Sequence, residues 1–300
     1  MNPLGIFMNF WEKNWDADHC KYIRKAAALG YDILEFQAQP LLDMTDEKIR
    51  SLKSLADGLG IQLTYSLGLD PHYDVSSLDE TVRQRGVRYL QDILRKIQVG
   101  GGRLLSGVSY AGWGTPGVIL DSKEPYLEQS VKSMREIVKT AEDCGVTYCV
   151  EAVNRFETCL INTAREALDY VARVDSPNIG VLLDTYHMNI EETSIADAIR
   201  MVGGKRLRNF HTGENNRTAP GRGHLDWDEI FGALAEIGYT GPIVSEPFVL
   251  QGGEVGRDIH VFRDLIDDPC EERIDREAAY LLHFERAMLE KHAVGKRRDR

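Results

Sequence analysis

Four polar residues stand where this chain could do chemistry. Glu151 in CVEAVNRFE, Asp184 in VLLDTYHMN, His211 in RNFHTGE and Glu246 in IVSEPF each follow directly on a short apolar run. Any one alone reads as a hydrogen-bonded polar residue at a strand end. Together they recur at matching positions of successive units. Brought to one axis, three carboxylates repel, and a pair about 4 Å apart at an effective dielectric of about 20 costs roughly 4 kcal/mol. One divalent cation removes that cost, with the neutral imidazole as a nitrogen ligand. An oxygen-rich set with one imidazole and no thiolate suits Mn2+, Mg2+ or Co2+ better than structural zinc.

The elements that must position these residues follow from periodicity. Short apolar runs alternate with amphipathic stretches along the whole chain: LGIFM (4–8), DILEF (32–36), IQLTYSLGL (61–69), RLLSGV (103–108), TYCVEAV (147–153), IGVLLDTYH (179–187), LRNFHTG (207–213) and PIVSEPF (242–248). Eight strands are expected, separated by helices such as DADHCKYIRKAAALG and SVKSMREIVKTAEDCG that stop at glycine. This is the pattern of a single-domain α/β protein, a (β/α)8 TIM barrel spanning residues 1–300, at about 37 residues per unit. In such a barrel the C-terminal strand ends build the active site, where the four polar residues fall. Residues 252–268 read as a long loop, 271–291 as an extra amphipathic helix that closes the barrel or meets a partner subunit, and 295–300 as a frayed basic tail.

Composition narrows the function classes. With 43% hydrophobic residues the chain can bury a core, and its net charge of −11 argues against a nucleic-acid partner. The uncharged run 104–120 is broken by Gly107, Gly112, Gly114, Pro116 and Gly117, so no membrane span is expected. No basic leader precedes the first apolar run, and the five cysteines include no CxxC pair. A cytoplasmic protein with reduced thiols is the expectation.

The segments VEAVNRFE (150–157), LDTYHMNIEE (183–192), HTGENNR (211–217), PGRGHLDWDEIF (220–231) and EPF (246–248) resemble those of the ketose 3-epimerases. That family includes D-tagatose 3-epimerase and D-allulose (D-psicose) 3-epimerase, within the xylose-isomerase-like barrels. The resemblance implies that Glu151, Asp184, His211 and Glu246 ligate one divalent ion per subunit, foremost Mn2+ with Co2+ or Mg2+ as alternatives. It also implies that Glu151 and Glu246 are the two acid/base groups. Glu157, His187 and Arg217 match positions that contact the O1 to O3 end of the sugar, and Trp113 and Phe7 match aromatic walls. Ser66, where relatives often carry glycine or cysteine, lies toward the distal end of the sugar. Phe7 is tyrosine in many allulose enzymes, and HLDW (224–227) replaces a basic-apolar-Pro-Trp sequence. A homodimer or homotetramer is implied as well.

The chemistry agrees with those roles. Epimerisation at carbon 3 of D-tagatose/D-sorbose, D-fructose/D-allulose or L-ribulose removes a proton beside a polarised ketone, passes through a metal-stabilised cis-enediolate and returns a proton to the opposite face. Two carboxylates on different strands can divide that work. Plainer roles stand beside these: Glu157 pairing with Arg155 or Arg165, His187 bonding its own loop at a helix start, Arg217 facing solvent, Trp113 and Phe7 as packing aromatics. Three other functions compete, namely an aldose–ketose isomerase, a barrel-type DNA-repair endonuclease and a non-catalytic sugar-binding protein.

Overall fold

A computed structural model describes residues 1–114 and 121–295; part of the glycine-rich run and the tail after 295 lie outside the described residues. Each expected apolar run contains a strand: β1 (Leu4–Phe7), β2 (Ile33–Gln37), β3 (Gln62–Ser66), β4 (Leu104–Ser106), β5 (Thr147–Ala152), β6 (Ile179–Asp184), β7 (Leu207–Thr212) and β8 (Ile243–Ser245). They pair in parallel and in sequence order, and β8 returns to β1 through Leu4↔Ile243, so the sheet closes as a barrel. A bulge between Val181 and Leu182 admits one extra residue of β7 and sets Asp184 opposite His211. Because strand side chains alternate, Glu35/Gln37, Thr64/Ser66, Cys149/Glu151, Leu182/Asp184 and Asn209/His211 are same-face pairs two residues apart. Leu104, Cys149 and Leu182 form an apolar cluster separate from the main core between strands and helices.

The helices are α1 (His19–Leu29), α2 (Asp46–Gly58), α3 (Glu80–Val99), α4 (Glu124–Cys144), α5 (Ala164–Val174), α6 (Thr185–Glu191), α7 (Ile195–Arg206), α8 (Trp227–Glu236), α9 (Gly253–Asp258) and α10 (Glu271–Gly295). Asp18, Thr45, Asp79, Thr163, Ser194 and Asp226 cap their N-termini. Gly30 and Gly145 close α1 and α4 in the left-handed conformation expected of a C-terminal glycine. Among the described residues no helix is long and apolar enough to cross a membrane.

Two boundaries differ from the sequence reading. The sixth run stops at Asp184 rather than reaching His187, because the Asp184 carboxylate accepts from the backbone N–H groups of Tyr186 and His187 and so starts α6. The stretch read as a long loop contains α9, which is fastened to the segment after β1. Val255 N–H donates to the Lys13 carbonyl, and the Trp15 indole donates to Asp258 at 2.8 Å.

α10 lies against its own barrel, burying Ile274, Ala278, Leu281 and Leu282 beside α8 and β1. It also buries Glu285, whose Oε1 accepts from Thr212 and Ser245 on β7 and β8. Burial pushes this carboxyl up to about 8. The folded state therefore binds a proton that the unfolded chain has released, and stability contributed by the neutral acid falls as pH rises from the ordinary carboxyl range to about 8. Glu285→Gln mimics the neutral acid. In thermal melts with chelator present, the variant should match the parent at pH 5 and be the more stable at pH 9; parallel pH curves would contradict this assignment.

Candidate active site

At the C-terminal mouth of the barrel, one donor atom from each of Glu151, Asp184, His211 and Glu246 lies within 4.8 Å of the others, and all four residues are buried. β5, β6 and β7 supply the first three, and Glu246 follows β8 directly. Each is steered by its surroundings. Asp184 Oδ1 is held by the start of α6. The Glu246 N–H donates to the Thr212 carbonyl at 2.9 Å, which fixes its backbone against β7. His211 turns Nδ1 toward Glu246 Oε2 at 3.6 Å and Nε2 toward Glu35 at 2.9 Å.

Glu151 Oε1 and His211 Nδ1 are buried without a hydrogen-bond partner in the protein. Unpartnered buried polar atoms are costly, and the two stand within one acidic cluster, so the donor set fits a divalent cation. Burial foremost, then the charge of Glu246, raises the Glu151 carboxyl well above its ordinary range. Burial opposes charge on His211, but Glu35 and Glu246 outweigh it and raise its pKa.

Above the cluster opens a pocket lined by all the sequence-predicted residues except the deeper Asp184 and His211. Glu157 pairs with neither Arg155 nor Arg165. Arg155 binds Glu191 on the outside, while Glu157 Oε2 accepts from the Trp113 indole at 2.8 Å and Oε1 from Asn154 at 3.3 Å. Burial works to raise the Glu157 carboxyl, but His187, Arg217 and these hydrogen bonds hold it below its ordinary value.

His187 reaches beyond its own helix. Its Nδ1 accepts from the backbone N–H of Asn154 at 3.2 Å, with the Asn154 side chain 2.8 Å away. The ring proton therefore sits on Nε2, which stands 3.6 Å from Glu151. Burial lowers the pKa of this imidazole, so it meets the pocket as a neutral donor. Arg217 is buried, not solvent-facing, with its guanidinium over the rings of Tyr186 and Phe248. It adopts φ 61°, an unusual conformation for a non-glycine residue, within the loop after β7. Glu214 shapes that loop by accepting from the Trp227 indole and the Gly221 N–H.

Trp113 and Phe7 both reach the pocket wall and also pack. Trp113 lies so close to Gly68 that a Cβ there would come within 2.8 Å of its ring. Phe7 meets Phe248 edge-on, in a small apolar cluster with Val255 and Val261 that Trp15 and Ile259 join. Ser66 opens onto the pocket beside Gln37.

Sequence reasoning missed Trp15, Gln37, Phe248 and Ile259 as lining residues, Asn154 as the link between Glu157 and His187, and Glu35 beneath His211. Asn154 and Phe248 lay inside the quoted motifs VEAVNRFE and EPF, and Glu35 stood out as an ionisable residue inside the apolar run DILEF.

The chain matches the model of the xylose isomerase-like TIM barrel family over residues 23–265. It is 46% identical over 288 residues to the D-psicose 3-epimerase of Ruminiclostridium cellulolyticum, covering 96% of this chain and 98% of that one. It is 37% identical over 252 residues to the L-ribulose 3-epimerase of Mesorhizobium japonicum, covering 83% and 82%. A crystal structure of D-psicose 3-epimerase with D-tagatose from Clostridium cellulolyticum superposes with a TM-score of 0.93 at 45% identity, covering 96% and 99%.

A ligand that binds only the folded state stabilises it by about 2.7 kcal/mol at about 100 times its Kd. Adding Mn2+ to chelator-stripped protein should therefore raise Tm by several degrees, and Asp184→Asn, which leaves the cap acceptor in place, should lose most of that rise. An equal rise in the variant would place the ion elsewhere.

Proposed function

The chain belongs to the xylose isomerase-like TIM barrel family, and within it to the ketose 3-epimerases, and on that premise we propose that it epimerises free ketoses at carbon 3 with Glu151 and Glu246 as paired acid/base groups. It is an isomerase of the carbohydrate 3-epimerase class. D-fructose/D-allulose and D-tagatose/D-sorbose are the substrate pairs this reading favours, with L-ribulose beside them. One observation carries it: two buried carboxylates from non-neighbouring strands meet in one cluster beneath an open pocket.

Glu151, Asp184, His211 and Glu246 would hold one divalent ion, Mn2+ foremost and Co2+ or Mg2+ as substitutes. When bound, such an ion polarises the ketone and offsets the charge that develops as the proton leaves carbon 3. The protein's own residues do the rest. One glutamate takes the proton, and the other, protonated, delivers one from the far side, which inverts the centre. Burial and mutual repulsion raise the affinity of Glu151 for a proton, as a donor requires. Glu157, held ionised, accepts hydrogen bonds from sugar hydroxyls; His187 Nε2 donates one, and Arg217 adds a fixed positive charge. Phe7, Trp15, Trp113 and Phe248 keep the reacting end dry. Ser66 and Gln37 offer polar groups to the remaining hydroxyls, and a pocket discriminates strongly only between sugars whose differing hydroxyl it hydrogen-bonds. The same family reading carries a homodimer or homotetramer.

Glu246→Gln should reduce kcat roughly 10^2–10^4-fold, the usual contribution of a positioned acid or base, whereas Glu157→Gln should chiefly raise KM. Incubation of D-fructose in D2O with the Mn2+-loaded enzyme should place deuterium at carbon 3. Label confined to carbon 1 would instead support the aldose–ketose isomerase, and full activity of Glu246→Gln would sink the two-carboxylate mechanism. Sedimentation velocity at several concentrations should give the mass of two or four chains; a single-chain mass throughout would overturn the oligomer.

A further inference from the structure

A polar layer crosses the barrel interior directly beneath the acidic cluster. Glu35 on β2, Thr64 on β3, Ser106 on β4 and Asn209 on β7 compose it, each 0% exposed. Thr64 Oγ1 donates to Glu35 Oε2 at 2.8 Å. Glu35 Oε1 lies 2.9 Å from His211 Nε2, and no aligned hydrogen bond from any group occupies that oxygen. The Asn209 amide sits 3.1 Å from the same ring nitrogen and donates to Ser106 Oγ at 3.0 Å.

Packing does not call for an acid at this position. A carboxylate enclosed among strands is expensive unless something compensates its charge, and a leucine or glutamine would fill similar volume. The compensating group is His211, and the two ring nitrogens have opposite tasks. Nδ1 must present a bare lone pair to ligate, so the ring hydrogen must sit on Nε2, where an acceptor has to receive it.

We propose that Glu35 is a positioning residue for the metal centre: it accepts the Nε2 hydrogen of His211, locks the imidazole in the tautomer that exposes Nδ1, and is itself held in place by Thr64. A carboxylate behind a ligating histidine also makes the ligand more basic. This inference rests on the metal-site reading of the preceding subsection, and its test separates the two.

The test reads affinity, not turnover. Chelator-stripped parent, Glu35→Ala, Glu35→Gln and Thr64→Val are titrated with Mn2+ by calorimetry, with melts in chelator to verify folding. Glu35→Ala should weaken binding by about 100-fold, and the near-isosteric Glu35→Gln, which keeps an acceptor without the charge, by about tenfold, as outer partners of metal-bound histidines do. Thr64→Val should show a smaller loss. In the Co2+-loaded proteins, the paramagnetically shifted, solvent-exchangeable ring proton of His211 should be sharp in the parent, weaker in Glu35→Gln and lost to fast exchange in Glu35→Ala. A purely structural role would leave that proton unchanged in any variant that folds. Parent-like affinity in Glu35→Gln, or an unaltered proton signal in either variant, overturns the role of Glu35 while leaving the metal site intact. Should Glu35→Ala fail to fold, Glu35→Gln decides alone. A parent protein that binds no divalent ion would instead overturn the preceding reading.

Discussion

Repulsion among three enclosed carboxylates is the constraint around which this molecule is organised. Left to relax, Glu151, Asp184 and Glu246 would turn outward to water. The closed barrel denies them that, because Glu151 and Asp184 sit on strands paired on both sides and Glu246 follows directly on a third such strand. The cluster is thus held against its own electrostatics by backbone pairing, and that stored tension is what a dication would release. Preorganisation of this kind spares the protein from rearranging when charge develops in the reaction.

Around the cluster, almost every polar contact fixes the orientation of another polar group. Asn154 serves both Glu157 and His187, Trp113 serves Glu157, and Arg217 is sandwiched by Tyr186 and Phe248. Aromatic rings therefore have two tasks here, as dry walls and as clamps on charged groups. The opposite wall, near Gln37 and Ser66, is more sparsely interlocked. The two halves of the pocket differ in how tightly their residues depend on one another.

The barrel and its four cluster residues were legible in the sequence because both follow from one-dimensional rules. Buried parallel strands are continuous apolar runs, and an ionisable residue closing such a run marks the mouth. What escaped depends on three-dimensional neighbours. Trp15 and Phe248 become wall only when α9 is fastened to the segment after β1. Asn154 gains meaning only once α6 brings His187 beside it. The end of β6 escaped because DTYHMN is compatible with either state, and the Asp184 cap decides between them. Glu35 was visible as a charge within DILEF, yet its task is defined by His211, whose ring lies across the barrel interior from a strand far away in the chain.

Closure of the ring also has a temporal side. β1 finds its last neighbour only in β8, and Trp15 finds Glu254 and Asp258 across sequence separations of 239 and 243 residues. Glu246 is the last of the four cluster residues to be synthesised. A chain emerging from the ribosome thus carries most of its helices and strands before it possesses any complete site, and contacts of such long range form late and slowly. A chain that stops before β8 lacks both Glu246 and the strand that joins β7 to β1. The ring and the four-residue cluster are thus completed by the same short stretch of chain, 243–246.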